Sequence, residues 1–222
     1  MNRREFTAGA VLPLFPAWAQ AGLSEVDAVA GVRAALERGA LAAVSMLGRT
    51  DGFLGNPQVK IELPGVLEDA ARLLRFTGQG RKLDELVTSM NRAAEAAVPL
   101  AKPLFLRIVK AMSVKDAVQM VRGGTTSATE FFAAKTRSPL SEQFLPIVTQ
   151  TTGRLSLARR YNELAGRVSS AGLMQPDEAQ VETYVTRRAL DGLFWMVGEE
   201  EKKIRADPVK TGSAILRRVF GG

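Results

Sequence analysis

The chain has 222 residues and a formal charge of +7, and it contains neither cysteine nor histidine. Without cysteine, the chain has no disulfide and no cysteine that could carry a lipid anchor. Without histidine, it has no Ser-His-Asp or Cys-His catalytic arrangement, and the commonest ligands for zinc, copper and haem are missing. We therefore expect no cofactor.

The first residues have the three-part pattern of an export signal. Arg3-Arg4 is followed by Phe6, then by a mostly apolar stretch from Thr7 to Trp18, and then by small residues that form Ala-x-Ala sites ending at Ala21. The apolar stretch is too short for a membrane span. We predict a signal peptide over 1–21, of the twin-arginine type with general secretion as the alternative, and one periplasmic domain over 22–222.

Apolar residues recur at helical spacing through almost all of the rest of the chain, which predicts an all-α, single-domain, multi-helix bundle. Capping boxes are expected at Ser113 and Ser127. Pro139 and Pro146 are expected to interrupt the helix that begins at Ser127. The predicted helices cover residues 24–48, 65–76, 83–98, 104–112, 113–123, 127 onward, 155–170, 177–205 and 207–220.

One long irregular loop, from Gly48 to Pro64, separates the first two helices. Its glycines, Asp51 and Asn56 are typical of tight turns. Residues 59–63 then alternate between apolar and polar, which predicts a short extended segment. That segment would either pair with its copy in a homo-oligomer or lie against the helices.

The chain resembles the exported bacterial family catalogued as domain of unknown function 4197. The resemblance covers nearly the whole mature chain and implies an exported helical protein, without assigning a catalytic role to any position. The segments that carry it are Asp51-Gly52-Phe53-Leu54-Gly55-Asn56-Pro57, Asn91-Arg92-Ala93-Ala94-Glu95, Ala128-Thr129-Glu130-Phe131-Phe132, Tyr161-Asn162, Tyr184-Val185-Thr186, Ala189-Leu190-Asp191-Gly192-Leu193-Phe194 and Glu199-Glu200-Glu201.

The loop is the first candidate surface for a ligand or a partner, because long ordered loops are often functional. Its candidate residues are Arg49, Asp51, Phe53, Leu54 and Asn56. We expect Asp51 and Asn56 to hold the turn and Phe53 and Leu54 to be partly exposed. The alternative is that Phe53 and Leu54 fill the core.

A second candidate set is polar and lies on predicted helices. Asn91 and Glu95 share a helix face, and Arg92 can reach Glu95. The trio either contributes to a pocket or forms an ion pair between helices. Asp191 lies in an apolar stretch and is expected to pair with an arginine, such as Arg92 or Arg159. Asp191 and Glu95 could also form an acid-base pair.

The charge pattern and the missing histidine lead to two hypotheses of function. Removing Arg3, Arg4 and Glu5 with the signal lowers the formal charge from +7 to +6, which favours anionic partners. Export argues against nucleic acid, and no later apolar run predicts a membrane span. The first hypothesis is a non-catalytic protein that binds an amphipathic or anionic ligand or a protein partner. The alternative is a hydrolase that acts on an envelope polymer through carboxylates alone.

Overall fold

The computed structural model describes residues 25–67, 71–72, 75–153 and 156–207. All regular structure within these ranges is helical, which confirms the all-α prediction. The predicted signal peptide and nearly all of the predicted terminal helix lie outside the described residues. The α-helices are α1 (Glu25–Leu47), α2 (Gly80–Ala97), α3 (Ala101–Ala111), α4 (Val114–Arg122), α5 (Ser127–Thr152), α6 (Ser156–Ser170) and α7 (Val181–Ala206), with short 3-10 helices at Gly65–Leu67, Val98–Leu100 and Pro176–Glu178.

The core surrounds α7, which packs against α1, α2 and α5. Its apolar stretch places Leu193 and Phe194 inside, whereas Trp195 is 40% exposed. The rings of Phe105 in α3 and Phe132 in α5 lie 4.4 Å apart, and Phe194 lies 6.2 Å from Phe105. These aromatic contacts join three helices from distant parts of the chain. No helix in the described ranges has the length and apolarity needed to cross a membrane.

The expected break in α5 is absent, because the helix continues through both prolines. Pro139 is half-buried and Pro146 is exposed. The buried face of the same helix carries Leu140, Phe144 and Val148, each with 0% exposure. Each proline costs about 3 kcal/mol in a helix interior. Since the helix nevertheless continues, packing of this apolar stripe outweighs that cost.

The capping box predicted at Ser113 is present. The Oγ atom of Ser113 accepts a hydrogen bond from the backbone N–H of Asp116, and the Asp116 carboxylate accepts one from the backbone N–H of Ser113. The reciprocal bonds satisfy N–H groups that have no partner within the helix. They fix the first turn of α4.

The capping box predicted at Ser127 is wrong, because a distant carboxylate takes its place. Glu201 on α7 accepts hydrogen bonds from the backbone N–H groups of Ala128 at 3.2 Å and Thr129 at 2.8 Å. Ser127 instead donates its hydroxyl to the carbonyl of Met120 at 2.8 Å. Glu201 is only 5% exposed, so its carboxylate is buried where α7 meets the first turn of α5.

Candidate functional site

The predicted loop residues and the predicted polar trio meet at one place, between residues 49–61 and α2. Glu95 is 4% exposed, and its Oε1 atom accepts hydrogen bonds from the backbone N–H groups of Phe53 at 3.1 Å and Leu54 at 3.2 Å. Its Oε2 atom accepts from Arg92 at 2.6 Å, and Arg92 also donates to Asp51 at 2.8 Å. We call this network the loop clamp. It joins Asp51, Phe53, Leu54, Arg92 and Glu95.

The charges of the loop clamp stabilise one another. Hydrogen bonds first to Glu95 and then to Asp51 raise the pKa of the Arg92 guanidinium above its usual value. Asp51 has a backbone φ of 63°, in the left-handed region that a non-glycine residue adopts at some cost. The salt bridge to Arg92 helps to hold Asp51 in this conformation.

Asn91 extends the clamp to the end of the loop. Its side chain is fully buried and makes two hydrogen bonds to the backbone of Ile61. The Oδ1 atom accepts from the Ile61 N–H, and Nδ2 donates to the Ile61 carbonyl, each at 2.9 Å. Nδ2 also donates to the carbonyl of Val87 at 2.8 Å. The predicted extended segment therefore lies against α2, and within the described residues it pairs with no strand.

The expected exposure of Phe53 is wrong. Its side chain is 0% exposed, and Leu54 is half-buried. Phe53 packs against Gly192 of α7, where an added Cβ would lie 2.8 Å from Phe53 Cε1 and 3.1 Å from Val59 Cβ. The loop reaches the core because Gly192 leaves room for an aromatic ring. The alternative stated for the loop, that it fills the core, is correct for Phe53.

The remaining loop candidates have simpler surroundings. The Oδ1 atom of Asn56 accepts from the backbone N–H of Gln58 at 3.1 Å, and its backbone carbonyl accepts from Lys60 at 2.9 Å, so Asn56 holds the turn as expected. Arg49 is exposed. Most polar atoms of the loop and trio are thus occupied by one another, which makes the loop clamp a structural element.

Asp191 lies apart from the loop clamp, and its expected partners were wrong. It is half-buried and accepts a hydrogen bond at 2.7 Å from Arg137 on α5, not from Arg92 or Arg159. The guanidinium group of Arg137 also stacks over the ring of Phe194, 5.1 Å from its centroid. The carboxylate therefore faces the boundary between α5 and α7 instead of the apolar centre.

A groove opens at this boundary. It has a volume of about 580 Å³, and α5, α7 and the 3-10 helix Pro176–Glu178 form its walls. This volume is within the range of small-molecule sites. We call it the α5–α7 groove. Its lining residues are Ala133, Ala134, Arg137, Ser138, Ser141, Asp177, Thr183, Arg187 and Leu190.

Two arginines line the α5–α7 groove, and each is paired with carboxylates. Arg187 lies against Asp177, at 3.2 Å, and against Glu178, and its guanidinium group is 6.0 Å from the ring centroid of Tyr184. Burial opposes the charge of Arg187, but the hydrogen bond to Glu178 and the nearby carboxylates raise its pKa overall. The guanidinium group of Arg187 therefore remains charged.

The hydroxyl groups that line the groove are available to form hydrogen bonds with a ligand. Those of Ser138, Ser141 and Thr183 make no hydrogen bond to any residue in the described ranges. Arg137 uses only one of its five N–H donors in a hydrogen bond within the same ranges. Ala133, Ala134 and Leu190 add an apolar side. The groove can thus bind a group with both polar and apolar parts.

The sequence reasoning missed Arg137, Arg187 and the three hydroxyl residues. A weak signal was present on each helix, because Arg137 and Ser141 are four residues apart, as are Thr183 and Arg187. Nothing in that spacing shows that α5 and α7 face each other. Only the packing of the two helices brings these side chains together.

A model of the family described as protein of unknown function (DUF4197) matches residues 22–221. The chain belongs to this family. No curated protein and no solved structure matches it. In this DUF4197 protein the first two resembling segments, residues 51–57 and 91–95, are the two sides of the loop clamp. Residues 189–194 carry Gly192, which receives Phe53, and Asp191, which pairs with Arg137.

Proposed function

We propose that this protein is an exported, non-catalytic binding protein whose α5–α7 groove holds an amphipathic ligand with an acidic head group. The observation that carries the proposal is the pair of charged arginines, one on each wall of a groove of about 580 Å³. Guanidinium groups bind carboxylates and phosphates through paired N–H donors. The head group is expected at Arg137 and Arg187.

An acidic ligand can displace Asp191 from its ion pair with Arg137. The side chains of Arg137 and Asp191 are 44% and 41% exposed, and ion pairs exposed to this degree contribute little stability. An acidic head group can therefore replace Asp191 at the guanidinium at small cost. The hydroxyls of Ser138, Ser141 and Thr183 then supply further hydrogen bonds, while Ala133 and Ala134 contact the apolar part.

The export part of the proposal rests on the first 21 residues. The order of twin arginines, apolar stretch and small residues supports a periplasmic location for the mature protein. A ligand of that compartment, such as a lipid or another envelope component with an acidic group, has the required chemistry.

The hydrolase alternative has weaker support. It needs Glu95 and Asp191 to act on one substrate, but Glu95 is 4% exposed and its two oxygens accept three hydrogen bonds in the loop clamp. Asp191 pairs with Arg137 at a different boundary. The arrangement favours binding over chemistry by paired carboxylates.

Native mass spectrometry of protein purified from its own periplasm tests the groove. We expect a retained mass on the wild-type protein and its loss from an Arg137→Gln, Arg187→Gln variant. The matched control is Arg81→Gln, Lys82→Gln, which makes the same change of charge on exposed residues of α2. The control should keep the mass.

Because Arg187 also forms ion pairs in the fold, its replacement could destabilise the protein. A second variant separates loss of ligand binding from loss of structure. Ser141→Ala with Thr183→Val removes two hydroxyls that have no partner among the described residues, so its melting temperature should match the wild type. It should lose most of the retained mass. The proposal would be contradicted if repeated preparations of the wild-type protein carried no additional mass. It would also be contradicted if both groove variants retained that mass as well as the wild type does.

A further inference from the structure

Helices α3 and α4 carry a marked imbalance of charge. Residues 98–125 contain six charged side chains, of which five are basic and only Asp116 is acidic. The basic ones are Lys102, Arg107, Lys110, Lys115 and Arg122, and we call them the basic face. All five are exposed, and none makes a salt bridge with a residue in the described ranges. Their charge is therefore not balanced by ion pairs within the fold.

The three basic residues of α3 lie on one side of the helix. At 100° per residue, Lys102, Arg107 and Lys110 fall within an arc of about 140°. The opposite side carries Leu104 and Phe105, which are 8% and 1% exposed. The helix thus has a buried apolar side and a solvent side whose charges are all positive.

Helix α4 repeats this arrangement. Lys115 and Arg122 are exposed and lie two turns apart on one side, while Ala117 and Met120 are buried on the other. Both α3 and α4 pack against α1, and only two residues, at 112 and 113, join them. The positive sides of α3 and α4 therefore belong to one stretch of the chain, residues 98–125, and both helices have α1 as a packing partner.

The single carboxylate of this stretch is engaged in the fold. Asp116 accepts hydrogen bonds from the backbone N–H of Ser113 at 3.1 Å and from its hydroxyl at 2.6 Å. These bonds hold the pKa of Asp116 below its ordinary value. Asp116 caps α4 and is not paired with a residue of the basic face.

Apolar side chains are exposed beside the basic residues. Val114 is 45% exposed and Leu100 is 38% exposed. In contrast, the one aromatic side chain between residues 98 and 125 is Phe105, which is buried. Proteins that bind single-stranded nucleic acid stack bases on exposed aromatic rings, and this surface has none. Basic and aliphatic groups together are typical of surfaces that lie on anionic lipid.

We infer that the basic face of α3 and α4 binds the surface of a membrane that contains anionic phospholipid. The lysine and arginine side chains contact the headgroups, and Val114 and Leu100 reach the boundary of the acyl region. This contact is peripheral and reversible. It is a separate property from ligand binding in the α5–α7 groove, whose lining residues it does not use.

Cosedimentation with lipid vesicles tests this inference. The purified protein is mixed with vesicles of phosphatidylcholine alone or of phosphatidylcholine with phosphatidylglycerol. We expect binding only to the second kind, and we expect it to weaken as the salt concentration rises. In a Lys102→Glu, Lys110→Glu, Lys115→Glu variant the partition coefficient should fall by about a hundredfold, since each cationic contact contributes about fivefold.

The matched control makes the same change in net charge elsewhere. Lys82→Glu, Arg159→Glu, Arg167→Glu changes three exposed residues of α2 and α6 and should keep most of the binding. If the glutamate variant of the basic face unfolds, the corresponding triple glutamine variant replaces it.

Three results would overturn the inference. The first is equal binding to both kinds of vesicle, and the second is an equal loss in the control variant. The third is tighter binding to single-stranded DNA than to anionic vesicles at the same salt concentration.

Discussion

At the level of single residues, two buried glutamates have parallel roles. Glu95 accepts hydrogen bonds from two consecutive backbone N–H groups of the loop, and Glu201 does so from the first turn of α5. Each also pairs with an arginine on its own helix, Arg92 and Arg205 respectively. A buried carboxylate needs such donors because it has lost its hydration. Both glutamates therefore act as structural anchors.

A Glu95→Gln substitution tests the role of the loop clamp. The amide keeps one acceptor oxygen but replaces the other with a donor, which then faces the donor groups of Arg92 or of the loop backbone. We expect a loss of about 3 kcal/mol in the free energy of unfolding, as for other broken buried pairs. Chemical denaturation followed by circular dichroism measures the change.

The control for this substitution is Glu85→Gln on the same helix, where the side chain is 58% exposed. It should change stability by less than about 0.5 kcal/mol. Equal effects of the two substitutions would show that Glu95 does not anchor the loop.

At the level of elements, the helices were predictable because their apolar residues recur with the helical period. The errors arose where a contact from elsewhere in the chain decided the local structure. Glu201 caps α5 in place of Ser127, and the buried stripe of α5 carries the helix past Pro139 and Pro146. The burial of Phe53 depends on Gly192, 139 positions away in the sequence. Local patterns contain no information about such pairs.

The contact between Phe53 and α7 predicts unequal effects for the two apolar loop residues. Phe53→Ser should destabilise the protein by about 3–5 kcal/mol, because it empties a fully buried site. Leu54→Ser should cost about 1 kcal/mol, because its side chain is only half-buried. Thermal unfolding of the two variants provides the comparison. Similar losses in melting temperature would contradict the assigned packing.

A double-mutant cycle isolates the contact itself. Gly192→Ala places a methyl group 2.8 Å from Phe53 Cε1, and overpacking of this kind costs about 1–3 kcal/mol. In a Phe53→Leu background the same substitution should cost less, because the crowding against the ring is removed and only that against Val59 remains. The coupling between the two sites is then at least about 1 kcal/mol. Additive effects would show that the ring does not rest on Gly192.

At the level of the whole molecule, the two proposed binding surfaces arise in different ways. The basic face lies within one short stretch of sequence, so its charge imbalance can be counted from the residues alone. The α5–α7 groove joins Arg137 and Arg187, which are 50 positions apart, and becomes visible only when α5 and α7 pack together. For this reason, most of the site residues predicted from the sequence lie in or near the loop clamp. Asp191 is the one predicted residue that lies beside the groove.

The predicted export would decide which ligands and membranes the folded protein can meet. We expect Arg3→Lys with Arg4→Lys to hold the full-length precursor in the cytoplasm, because twin-arginine export depends on the guanidinium pair, which lysine does not reproduce at equal charge. Cell fractionation with an immunoblot measures the periplasmic fraction and the cleavage of the signal. Arg81→Lys with Arg159→Lys makes the same exchange at two exposed positions of the mature chain and should leave export unchanged. Normal periplasmic accumulation of the variant with both signal arginines replaced would assign the protein to general secretion, a route for which a positive charge at these positions is sufficient.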